Sequence, residues 1–124
     1  MGVTASTKLA NFENIKEPNN ILIHIMEENQ KLLIAGTLTA EMETEKINEM
    51  LSKYEYDTKL VVYGKNSRDY EKLLEKQKQL ESLGFRNVTI YPGGMLEWLL
   101  LQDVYGTKEF PTTPGIKPDL LSFK

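Results

Sequence analysis

The strongest constraint on the fold of this chain is an alternation. Apolar runs too short for helices take turns with longer segments of helical period. Residues 21–26, ILIHIM, are an almost unbroken apolar run, as expected of a strand buried on both faces. The stretch 31–37, KLLIAGT, reads as a second, shorter strand that stops near Gly36. From Thr44 to Tyr54 the apolar residues Ile47, Met50, Leu51 and Tyr54 follow i, i+3, i+4, i+7, one face of a helix. Residues 60–63 form a third strand. Tyr70, Leu73, Leu74, Leu80 and Leu83 then mark a second amphipathic helix, closed by Gly84 at its C-terminal cap. NVTIY (87–91) is a fourth strand, and PGG (92–94) turns into a short helix, MLEWLLLQ, apolar on nearly every side and therefore expected to be buried. The tail from Tyr105 holds three of the five prolines and reads as an extended surface strap. Strands alternating with helices predict an α/β fold, a mostly parallel central sheet with helices on both faces. Ligands of such sheets bind at the carboxyl ends of the strands, where the 64–69 loop and the 92–94 turn lie.

Composition narrows the chemistry. With 124 residues, 40% hydrophobic and 27% charged, the chain is expected to be one soluble domain with a real core. No apolar run is long enough to span a bilayer, and no charged-then-apolar leader is present. A net charge of −3 with interspersed signs argues against a nucleic-acid surface, which needs a basic stripe. The chain has no cysteine, which excludes disulfides, thiolate metal ligands and thiol nucleophiles together. His24 is the single histidine, so neither a histidine metal site nor a Ser–His relay is expected, and no cofactor is expected. On an apolar strand, His24 reads as a hydrogen-bonded core or strand-end residue.

VVYGKNSRD (61–69) nevertheless has the form of a working site, a strand feeding a tight loop at a helix start. Gly64, Lys65, Asn66, Ser67, Arg68 and Asp69 offer backbone N–H groups and two cations to an anion. A plainer reading competes: Asn66 or Ser67 caps the following helix, and Asp69 sits in its first turn, where the helix dipole favours a carboxylate over a bound anion. Gly93 and Gly94 read as a turn bringing a helix close to the sheet, and Trp98 with its leucines as core. At the other end, MGVTAS fits an N-myristoylation acceptor, with Gly2 terminal after loss of Met1 and Ser6 in the required place. One myristoyl chain holds a membrane only marginally. Lys8 and Lys16 make no polybasic patch and no cysteine is available for palmitoylation, so stable residence calls for a protein partner or self-association.

From the third strand onward the signals resemble the rhodanese-like (sulfurtransferase) family. LVVYG, a six-residue loop, a helix and LGFRNVTIYPGGMLEW follow that family's order, with Leu83, Gly84, Phe85, Val88, Gly93, Gly94 and Trp98 on matching positions. The match is looser in the first half, where LIH stands for a strand ending in aspartate. The resemblance implies a rhodanese-like domain over residues 20–104, preceded by an N-terminal segment (1–19) and followed by the strap (105–124) as part of the same domain. YGKN, GGMLEWLLLQDVYG and EFPTTP are similar to small rhodanese-like proteins of large DNA viruses and some protists.

The departures matter more. Active members carry a persulfide on a cysteine at the first loop position, which here is Gly64. The family's basic residue at the loop end aligns with Asp69, with Arg68 one place earlier, and its first-strand Asp and Arg become His24 and Met26. The resemblance therefore implies the fold without the activity: no catalytic residue, and a degenerate loop in an interaction or structural module. It further implies a place in the cytosol or at the cytoplasmic side of a host membrane, or in a virion. The alternatives are a sulfurtransferase-type enzyme and a small-anion binder using the same loop.

Overall fold

The computed structural model describes residues 8–124. Gly2 and Ser6 lie outside the described residues. Four parallel strands, β1 (Ile21–His24), β2 (Thr37–Leu38), β3 (Leu60–Tyr63) and β4 (Val88–Tyr91), form one sheet in the order β2-β1-β3-β4. Leu9 bridges Ile90 in parallel and extends the β4 edge. The period-two alternation of the strands divides the core. Leu22, Val61, Tyr63 and Tyr91 face α1 (Phe12–Lys16) and α4 (Gly94–Tyr105). Ile23, Val62 and Ile90 face α2 (Ala40–Ser52) and α3 (Tyr70–Ser82). Both faces of the sheet are covered, as parallel sheets require.

Several boundaries differ from the expected ones, and hydrogen bonding explains those of β1, β2 and α2. β1 ends at His24 and not at residue 26, because the His24 Nδ1 accepts the Met26 N–H at 3.1 Å and turns the backbone out of the ladder. β2 is only Thr37–Leu38. Residues 32–34 are buried but bond elsewhere: Leu33 exchanges hydrogen bonds with Thr113, and the Ile34 N–H donates to the Tyr63 hydroxyl at 3.1 Å. α2 starts at Ala40, earlier than Thr44, because the Thr39 side chain caps the Met42 N–H. It ends before Tyr54, which has φ +58° and projects into solvent instead of onto the core.

In α3 the expected core residues Leu73 and Leu80 are buried while Leu83 is exposed. Gln77 takes a core place by donating its Nε2 to the Val88 carbonyl at 2.9 Å. α4 runs from Gly94 to Tyr105, three residues past the expected end, and is not buried all round. Met95, Trp98, Leu99 and Gln102 face the core, whereas Leu100, Val104 and Tyr105 are 46%, 71% and 63% exposed. One face packs on the sheet, and among the described residues nothing covers the other.

After α4 the chain crosses the same layer as a strap. Phe110 packs edge-on against Trp98, Thr112 bridges Ile34, and a single 3-10 turn, Leu120–Phe123, brings Phe123 into the core.

Candidate functional site

Loop 64–69 leaves the carboxyl end of β3, as expected, and closes on itself. Asn66 and Asp69 do the closing. The Asn66 Oδ1 accepts the Arg68 N–H at 2.9 Å, and the Asp69 N–H donates to the Asn66 carbonyl at 3.1 Å, forming a 3-10 turn over Ser67–Asp69. Asp69 does not cap α3 with its side chain. Its carboxylate turns back and accepts the Lys65 N–H at 2.8 Å. The position an incoming anion would take against that N–H is held by the chain's own anion.

Gly64 is the reason the carboxylate fits. A Cβ on Gly64 would lie 2.6 Å from the Asp69 Oδ2 and 3.0 Å from the Asp69 Cβ. Lys65, Ser67 and Arg68 are exposed, and Lys65 and Arg68 make no ion pair among the described residues. The plainer reading of the loop therefore holds for Asn66, which caps the turn. Asp69 acts one step further back than a helix dipole would place it.

The PGG turn belongs to the same site. Gly94 has φ +62°, and a Cβ there would stand 2.4 Å from the Gly64 carbonyl oxygen. This close approach lets the first turn of α4 donate into the loop: Met95 N–H to the Gly64 carbonyl at 3.0 Å and Leu96 N–H to the Lys65 carbonyl at 2.9 Å. The positive end of α4 is thus satisfied by loop carbonyls. Glu97 folds back over Gly93, where a side chain would collide with it. The Tyr91 hydroxyl beside Glu97 is buried with no partner of good hydrogen-bond geometry. Burial, with the Glu97 charge, pushes this phenol far above its usual range, and burial raises the Glu97 carboxyl as well.

At the end of β1, His24 is buried, and burial holds its imidazole below the ordinary value. The Glu43 carboxylate opposes that shift and the Lys76 ammonium reinforces it; these two form a half-buried ion pair at 2.6 Å. His24 is the strand-end residue expected of it. Among the described residues no group of three acids or histidines is placed to hold a metal.

The order of these parts is strand, loop, helix, then a Gly-Gly turn whose helix rests on the loop backbone. Residues 13–101 match the rhodanese-like domain family. The chain belongs to that family. Its fold is similar to that of the crystal structure of the Alr3790 protein from Anabaena sp., with a TM-score of 0.59 and 19% identity over 83% of this chain and 78% of that one. No curated protein matches the sequence. This rhodanese-like domain contains no cysteine, so no cysteine persulfide can form on it.

One expected loop residue has a different role from the one its sequence suggests, and one participant has no sequence signal at all. Asp69, expected at a helix dipole, instead binds the Lys65 N–H, and its spacing of four from Lys65 fits a carboxylate curling back on a turn. Phe123, whose carbonyl accepts the Asn66 Nδ2 at 2.8 Å, lies 57 residues from the loop and carries no local signal.

Proposed function

We propose that this rhodanese-like domain is catalytically inactive and works as an interaction or structural module. The observation that carries the reading is the Lys65 N–H bound to the Asp69 carboxylate beside Gly64. The position of the family's nucleophile is occupied by a glycine, and the N–H next to it is already spent on an internal acceptor. A thiolate is the reacting group of sulfur transfer, and a glycine cannot replace it. The same internal carboxylate disfavours the small-anion reading of the loop, since a second anion would have to displace a tethered one.

The module acts at a membrane through a myristoyl group on Gly2, supplemented by a protein partner or by self-association because one acyl chain binds only marginally. No helix among the described residues is long and apolar enough to cross a membrane. By its likeness to small viral rhodanese-like proteins, it serves virus assembly or the virion.

A thiosulfate:cyanide sulfur-transfer assay tests the core of this reading. Turnover indistinguishable from a protein-free control is expected, and turnover well above it overturns the proposal. Co-expression with N-myristoyltransferase and labelled myristate tests the lipid: label on wild type that Gly2→Ala abolishes is expected, and unlabelled wild type removes the membrane part.

A further inference from the structure

α4 is apolar on nearly every side, a composition that folded chains bury all round, yet one of its faces stands in solvent. Leu100, Val104 and Tyr105 are exposed there, and Leu101 is half-buried beside them. A groove of about 370 Å³ runs alongside, between α1 and α4. It is lined by Phe12, Leu101, Tyr105 and Phe110 and by the Lys16–Glu109 ion pair at 3.2 Å. Stripe and groove make one apolar surface, of the kind that marks an interaction site.

Charge decides which occupant fits. α4 carries Glu97 and Asp103 and no lysine or arginine, so an anionic lipid surface finds no cation on this helix. Glu97 lies at the N-terminal end of the stripe, four residues before Leu101 and eight before Tyr105. A second copy laid antiparallel brings each Glu97 to the end that carries the partner's Tyr105 and its Lys16–Glu109 pair, which is neutral as a whole. The two Glu97 carboxylates then lie about 12 Å apart along the helix axis, beyond a Debye length of about 8 Å. A parallel copy would set them face to face, where like charges repel. Area agrees with a second copy bound weakly. Leu100, Leu101, Val104 and Tyr105 expose on the order of 400 Å² per protomer, half of the roughly 800 Å² per partner that a stable complex buries.

We propose that the outer stripe of α4 is an isologous dimer interface, covered by α4 of a second copy of this chain in antiparallel register, with Leu100 and Leu101 at the two-fold axis. The inference rests on the interaction-module reading and names the module's partner. On that reading each copy brings one acyl chain. Two marginal anchors held together bind a membrane at least about a hundredfold more tightly than one.

Sedimentation velocity of the full-length, unacylated chain tests the interface. Monomer is expected at about 10 μM and predominantly dimer at about 1 mM. Val104→Asp, at an exposed position, should raise the dimer Kd at least about tenfold. A wild-type chain still monomeric at the higher concentration overturns the proposal, as does a dimer that folded Val104→Asp leaves intact. Should Val104→Asp not fold, wild-type amide shifts between the two concentrations decide: changes centred on Leu100–Tyr105 are expected, and a silent α4 overturns the interface. The chain has no cysteine, so a single introduced thiol reports alone. Under mild oxidation Leu100→Cys should form a disulfide-linked dimer at least about tenfold faster than Glu97→Cys, and the reverse order overturns the antiparallel register. Vesicles of phosphatidylcholine and phosphatidylserine should not retain the unacylated chain. Retention that Val104→Asp abolishes would give this face to a lipid surface instead and overturn the dimer. None of these measurements needs acylation or sulfur transfer, so the dimer and the module reading fail separately.

Discussion

On the proposed reading Gly64 holds the place of the family's cysteine, and restoring that position takes more than a sulfur atom. Gly64 and Asp69 fit each other so closely that a side chain on the first requires the second to move. Gly64→Cys alone should therefore give a poor nucleophile. Its thiol, pressed against a carboxylate, should titrate above the ordinary value of about 8.5. Gly64→Cys with Asp69→Ala should bring the thiol pKa back down and speed alkylation by iodoacetamide near neutral pH. Equal alkylation rates in the two variants would show that Asp69 does not occupy the cradle. His24 makes a second prediction at this scale. Its folded-state pKa lies below the unfolded value of about 6.5. The unfolded chain thus binds the proton first, and stability present above about pH 6.5 declines as pH falls through that value. Protonation would also remove the Nδ1 acceptor of the Met26 N–H. Urea midpoints at pH 7.5 and pH 5.5 should differ less in His24→Asn than in wild type, and an equal difference would refute the assignment.

Among the elements, legibility followed how local the cause was. β3 could be read to the residue because LVVY is buried on all four positions and a polar loop ends it. β2 could not, because what satisfies the backbone of residues 33–35 is the strap and Tyr63, remote in sequence. The Gly-Gly turn was legible as a close approach, but not the partner it approaches. α4 shows the limit of periodicity most clearly. An all-round apolar helix predicts burial, yet only the face carrying Met95, Trp98 and Leu99 is buried. Leu99→Ala should cost about 2–5 kcal/mol in chemical denaturation, whereas Val104→Gln should stay within about 0.5 kcal/mol of wild type. A large loss at Val104 would mean that the outer face is covered after all.

Over the whole molecule, the α/β class and the parallel sheet were legible from alternation alone, and the Gly-Phe…Gly-Gly…Trp spacing led to the family. Closure of the loop was not legible in full, because it joins the 64–69 loop to Gly94 and Phe123, three segments in all. Together these contacts make a rhodanese-like frame whose 64–69 loop is bonded internally. The Lys65 amide resonance, followed through a titration with millimolar thiosulfate, tests that claim most directly. The Lys65 N–H is already donated to Asp69, so it should not respond in wild type and should shift saturably in Asp69→Ala. A saturable shift at Lys65 in the wild-type chain would contradict the account.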